Sequence, residues 1–170
     1  MMKIGRVFVA GTIQGANQGT KTEDQGYRTS IPLLVKSHFP DATFFDPSRD
    51  VARELGDPQM VALVQSLLRD APAVMATDVL PDRVRELRST FHAMTREVTQ
   101  CDLCIAYLPG RSLSMGTAME MYAAWSGGVP VVAITEMLEN LAILSVSDWV
   151  VRDMESLGSW LSDLRLDEVQ

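Results

Sequence analysis

The chain has 170 residues, 46% hydrophobic and 22% charged, with a formal net charge of −7, figures ordinary for one globular domain with a real core. An acidic balance with no basic block argues against nucleic-acid binding through phosphate neutralisation, and no apolar run approaches the ~20 residues of a membrane span. A small anion held by backbone amides at a helix start remains compatible with that charge.

The N-terminal MMKIGRVFVAG carries Lys3 and Arg6 but too short an apolar run for a signal peptide, so a cytoplasmic protein is expected. RVFVAG, residues 6–11, reads as a first strand whose continuous apolar core implies cover on both faces, as in a parallel sheet. GTIQGANQGTKTED follows, with Gly11, Gly15 and Gly19 at a spacing of four. It matches neither the dinucleotide fingerprint nor the phosphate loop ending in GK[ST]. Such a loop still lets backbone N–H groups approach a ligand closely; an ordinary surface loop fits equally.

Residues 25–39 place Tyr27, Ile31, Leu34, Val35 and Phe39 at helical spacing, with Pro32 early in the helix or bending it. ATFFDP predicts a second strand with Asp46 at its C-terminal end, the edge where open α/β sheets bind ligands. The alternative for Asp46 is a turn residue before Pro47. Residues 48–78 are the least regular, apart from an amphipathic helix over 58–69; Arg49 lies near the expected cleft. APAVMATDVL fits either a short strand or a packed connection. Residues 81–100 predict a helix with Pro81 at its start and Val84, Leu87, Phe91, Met94 and Val98 on one face, and His92 beside that stripe at the surface.

Cys101 and Cys104 form C-x-x-C, but a zinc site needs more ligands than His38 and His92 supply around it, and the pair enters a strand rather than leaving one. Buried thiols are the better reading. LCIAYL is an apolar strand, PGRSLS a break, residues 116–126 a helix ended by Gly127 and Gly128, and VPVVAI a second strand. Strand, helix and strand at this length make a βαβ unit with parallel strands. The helix segment MGTAMEMYAAW has one charge, Glu120. A helix apolar all round is normally buried, and a buried carboxylate is costly unless paired, hydrogen-bonded or protonated, which marks Glu120 for chemistry. Thr117-x-x-Glu120 also fits a capping box, with Glu120 in a first turn that the helix dipole favours. NLAILS predicts a helical turn, DWVVRD a last strand and residues 154–164 a final helix. The alternation gives one domain, 1–170, with a three-layer doubly wound sheet of about five parallel strands in a flavodoxin-like order.

An Asp opening a strand (Asp102), a Pro-containing loop (Pro109) and the Gly-rich run SMGTAME leading to Glu120 form a pattern that resembles the nucleoside 2-deoxyribosyltransferase superfamily, which includes the nucleoside 5′-monophosphate N-glycosidases. VFVAGTIQGA looks like the first strand and phosphate-side loop of the glycosidases, and NLAILSVSDWVV like the C-terminal segment, while about 48–81 is unmatched. The resemblance implies Glu120 as nucleophile and a substrate site formed by Phe8, Gly11, Thr12, Ile13, Gln14, Gly15, Ser114, Gly116 and Thr117, with no metal or other cofactor. Transferases typically carry Asp where this chain has Ser114; a hydroxyl there suits a phosphate oxygen, being a donor without a repelling charge. Two positions depart: Met94 stands where the family has an Asp, and Phe8 where it has a Tyr. Protonating the departing base then falls to Asp46 by position, with Glu97 and Asp50 as weaker choices. The resemblance implies cleavage of a nucleotide's N-glycosidic bond through a glycosyl–enzyme ester, the helix dipole keeping Glu120 ionised; the alternatives are base exchange at the same site and a nucleotide sensor without catalysis. It also implies a homodimer or larger homo-oligomer, for which Met119, Met121, Tyr122 and Trp125 offer apolar surface.

Overall fold

The computed structural model describes residues 4–15, 21–69 and 72–168; Gly19 of the glycine-bearing loop lies outside them. In chain order the elements are β1 (Arg6–Gly11), α1 (Tyr27–His38), β2 (Thr43–Phe45), α2 (Ser48–Leu55), α3 (Pro58–Arg69), α4 (Asp82–Glu97) running into a 3-10 turn (Val98–Gln100), β3 (Leu103–Leu108), α5 (Met115–Ser126), β4 (Val131–Thr135), α6 (Leu141–Val146), β5 (Trp149–Val151) and α7 (Met154–Glu168). APAVMATDVL forms neither strand nor helix over its described residues.

All neighbouring strands pair in parallel, in the order β2-β1-β3-β4-β5, the expected flavodoxin-like sheet. Alternation along each strand feeds two cores. Val7, Val9, Leu103, Ile105, Val132 and Ile134 face the layer holding Ile31 and Val35 of α1 and Leu157 and Leu161 of α7. Phe8, Ala10, Cys104, Ala106, Val131 and Ala133 face the layer holding Met121 and Ala124 of α5 and Ile143 of α6. Both sets are buried because helices cover both faces. On the α5 face Ala10, Ala106 and Ala133 lie in register across three strands; side chains this small let a helix approach the sheet closely.

The order reverses at β1, with β2 on one side and β3 on the other, and the crevice outside the strand ends at such a switch point is where doubly wound sheets take ligands. Asp102, ahead of β3, ties the opposite edge: its Oδ2 accepts from the amides of Gly5 (3.0 Å) and Arg6 (2.7 Å). Cys101 and Cys104 are buried and unbridged, and burial lifts both thiol pKa values, that of Cys101 to about 11.

Candidate active site

Helix α5 begins at Met115, one residue earlier than the sequence pattern implied, and Ser114 is its N-cap. The Ser114 Oγ accepts from the Thr117 amide (3.3 Å) and from the Thr117 hydroxyl (2.8 Å). The capping box built on Thr117 therefore does not form. With Ser114 as cap, Glu120 sits in the second turn, and the buried residues of α5 are Thr117, Glu120, Met121 and Ala124. That is the i, i+3, i+4, i+7 stripe turned to the sheet. Glu120 is buried, and its Oε2 has no hydrogen-bond partner.

The surroundings of Glu120 come from three other elements. At the start of α1, Arg28 is buried against the end of β1: its Nη1 donates to the Val9 carbonyl (3.0 Å) and its Nη2 to the Gly11 carbonyl (3.0 Å). Its Nε donates to Gln25 Oε1 (2.7 Å), and Nη1 also pairs with Asp46 Oδ1 at 2.6 Å. Asp46, just past β2, additionally accepts from the Ser48 amide (2.9 Å). Tyr27 stacks on Tyr107 of β3, centroids 4.7 Å apart, lies under the Arg28 guanidinium and directs its hydroxyl to the Thr12 carbonyl (3.3 Å). A Cβ on Gly11 would lie 2.4 Å from the Tyr27 hydroxyl oxygen, so glycine is needed there for this ring to reach the strand end. Gly15 has φ +60°, a left-handed conformation that excludes most other residues.

Burial sets the charge on the carboxyl. Desolvation pushes the Glu120 pKa up to about 8, with Arg28 acting to lower it and Asp46 to raise it. This reverses the expectation of a dipole-held carboxylate. The dipole effect fades beyond the first turn, whereas removal from water acts on the whole charge. At neutral pH desolvation therefore favours the neutral acid form of Glu120.

The structure brings Glu120, Asp46, Gly11 and Thr12 to one sheet edge. Thr12 is buried and its Oγ1, like Glu120 Oε2, has no partner. Ile13 is partly exposed and Gln14 and Gly15 are exposed. Two residues expected to line the site are buried against protein neighbours. Phe8 is fully buried and stacks on Phe45, 5.3 Å between centroids, because even positions of β1 face the α5 core. Thr117 is buried with its hydroxyl spent on Ser114. Gly116 is partly exposed, and a Cβ on it would meet open space. An apolar groove of about 460 Å³ between α5 and α6 is lined by Leu108, Leu113, Ser114, Met121, Met137 and Ile143; Glu120 lies outside it. Arg28, Tyr27 and Gln25 were missed as site residues. Gln25 and Tyr27 opened the predicted helix, with Tyr27 on its apolar stripe, and Arg28 carried no local signal that separates it from a solvated arginine.

Among the described residues, no three His, Cys, Asp or Glu side chains gather as a metal site, and no helix is long and apolar enough to cross a membrane. No family model matches the sequence, and no curated protein matches it. Solved structures do match. A conserved protein from Enterococcus faecalis V583 is 16% identical over 95% of this chain and 99% of its own, with a TM-score of 0.53. A 2-deoxyribosyltransferase from the psychrotolerant bacterium Bacillus psychrosaccharolyticus is also 16% identical, over 92% of this chain and 96% of its own, again with a TM-score of 0.53. At that identity the likeness is one of fold: from end to end, the chain shares the α/β architecture of these two proteins.

Proposed function

We propose that this protein hydrolyses the N-glycosidic bond of a nucleoside 5′-monophosphate, with Glu120 as nucleophile. One observation carries the reading: a buried glutamate, on the core-facing stripe of α5, with an unpartnered oxygen at the switch point of the sheet. Glu120 attacks the anomeric carbon as the bond to the base breaks, giving a glycosyl–enzyme ester; water then releases the sugar phosphate. Positive charge developing on the sugar in the transition state is stabilised by the carboxylate form of Glu120. Asp46, whose Oδ1 is held by Arg28 and Ser48, is assigned the relay to the departing base of the proton that Glu120 gives up on becoming the nucleophile. The phosphate is assigned to the start of α5 and the 12–15 loop. Ser114 accepts two hydrogen bonds and keeps its own proton to donate, open space adjoins Gly116, and Thr12 Oγ1 awaits a partner.

Base exchange on a free nucleoside is the second reading. It is favoured by the Glu23 carboxylate, whose Oε1 would lie 3.2 Å from a Cβ on Gly15; an acid beside this loop repels a phosphate. Incubation with ribo- and deoxyribonucleosides and their monophosphates, with and without an acceptor base, separates the two. Free base from a monophosphate supports hydrolysis, and a new nucleoside supports exchange. Either activity should vanish in Glu120→Ala. Binding of nucleotide without release in the intact protein would instead indicate a sensor.

A homo-oligomer is part of the proposal. Met115, Met119, Tyr122 and Trp125 on the outer face of α5 are exposed and uncharged. Met121, expected to share that face, points into the core and is 1% exposed. Sedimentation as a monomer would refute the assembly.

A further inference from the structure

Three chain segments meet at the Arg28 guanidinium. Its hydrogen bonds to Val9 and Gly11 fix it to the end of β1, that to Asp46 reaches past β2, and that to Gln25 reaches the segment entering α1. Gln25 extends the network: its Nε2 donates to the carbonyls of Thr12 (3.0 Å) and Glu23 (2.9 Å), which ties the loop after β1 to the same cation. The Tyr27 ring backs the guanidinium, 4.8 Å from its carbon to the ring centroid. The Arg28 side chain is 5% exposed and that of Asp46 is 21% exposed, so the pair has a closed side and an open one.

The two oxygens of Asp46 are treated differently. Oδ1 accepts both from Arg28 (2.6 Å) and from the Ser48 amide (2.9 Å), and Oδ2 accepts from none of the described residues. An oxygen already accepting two donors has no lone pair left to take a proton. We infer that Arg28 is the positioning residue for the proton relay: with the Ser48 amide it occupies Oδ1 of Asp46, leaves Oδ2 as the oxygen that carries the proton, and holds that carboxyl in register with the loop after β1. The inference rests on the proposed role of Asp46 and assigns what places it. The proton that Glu120 gives up passes to Oδ2 and then to the base nitrogen, which takes the electron pair of the broken glycosidic bond; Asp46 ends as the carboxylate it began as. Arginine suits this place because its donors fan out in one plane. A lysine ammonium, with three donors at one point, cannot serve Gln25, Asp46 and two carbonyls together.

The test compares two leaving groups on one sugar phosphate: a nucleobase, which needs a proton to depart, and 4-nitrophenolate, which does not. Rates are taken for the intact protein, Arg28→Lys, Arg28→Gln, Asp46→Asn and the double variants, each checked for folding by circular dichroism. The ratio of base release to nitrophenolate release should fall about 100-fold or more in Asp46→Asn and about 10-fold or more in either Arg28 variant. Combining an Arg28 variant with Asp46→Asn should lower the ratio no further than Asp46→Asn alone. A merely structural arginine lowers both rates together and leaves the ratio unmoved; that result, or losses that multiply in the double variants, would overturn the inference. Where neither Arg28 variant folds, Gln25→Leu, which strips the support at Nε, carries the test, and an unchanged ratio there overturns it. A second readout needs no turnover. Amide hydrogen exchange at Ser48 should quicken about 10-fold in Arg28→Lys while the amides of α5 keep their protection. Unchanged protection at Ser48 refutes the placement of Asp46 by itself. A protein that releases neither product counts against the proposed reaction, and the exchange rates then decide the placement alone.

Discussion

Replacing Glu120 by Gln removes a titration and little volume, which makes the variant a direct gauge of what burial of this carboxyl costs. In the folded protein the group has a pKa of about 8 against 4.5 for an ordinary glutamate. A folded-state pKa above the unfolded one means that the native state holds the proton more tightly. The associated stability is fully present below about pH 4.5 and is lost as pH rises through 8. Each pH unit between those limits costs about 1.4 kcal/mol, so from pH 5 to pH 9 the wild-type protein should lose about 4 kcal/mol that Glu120→Gln retains. Near the melting temperature that corresponds to roughly 10 °C for a domain of this size. Urea unfolding of both proteins at pH 5, 7 and 9 measures it, since other groups titrate alike in the two and cancel in the difference. A difference that stays constant within about 1 kcal/mol over that range would refute the buried, unpartnered carboxyl.

Other consequences follow from the same geometry. Base release should hold up to about pH 8 and fall above it, because kcat/KM reports the free enzyme, whose Glu120 must carry the proton that is relayed to the base; a rate that climbs through pH 8 contradicts the relay. Gly11→Ala puts a methyl 2.4 Å from the Tyr27 hydroxyl and 2.6 Å from its ring carbons, and should destabilise by about 1–3 kcal/mol in urea unfolding. Adding Tyr27→Ala should recover part of that loss. Gly15→Ala, at φ +60°, should cost about 1–2 kcal/mol, while Gly116→Ala, facing open space, should leave thermal stability unchanged or slightly higher.

Local periodicity was enough to locate most elements. RVFVAG and LCIAYL became strands over the bounds their apolar runs mark, and the 58–69 stripe became a helix, because a strand covered on both faces must be apolar at every position and a helix on one stripe. The single charge in MGTAMEMYAAW made Glu120 conspicuous for the same reason. The sequence left its environment open. T-x-x-E is a pattern many helices satisfy, and only the backbone shows that Ser114, not Thr117, takes the cap. Starting the helix at Met115 turns Glu120 from a first-turn anion into a core-facing acid, so that desolvation outweighs the dipole. Arg28 became legible only once β2 and β3 flanked β1. That order brings Asp46, 18 residues away, and the Val9 and Gly11 carbonyls around one guanidinium. Sequence spacing thus determined which residues are apolar, helical or singular; chain crossings in three dimensions decided which charges share a water-poor site, since electrostatic coupling depends on distance and burial.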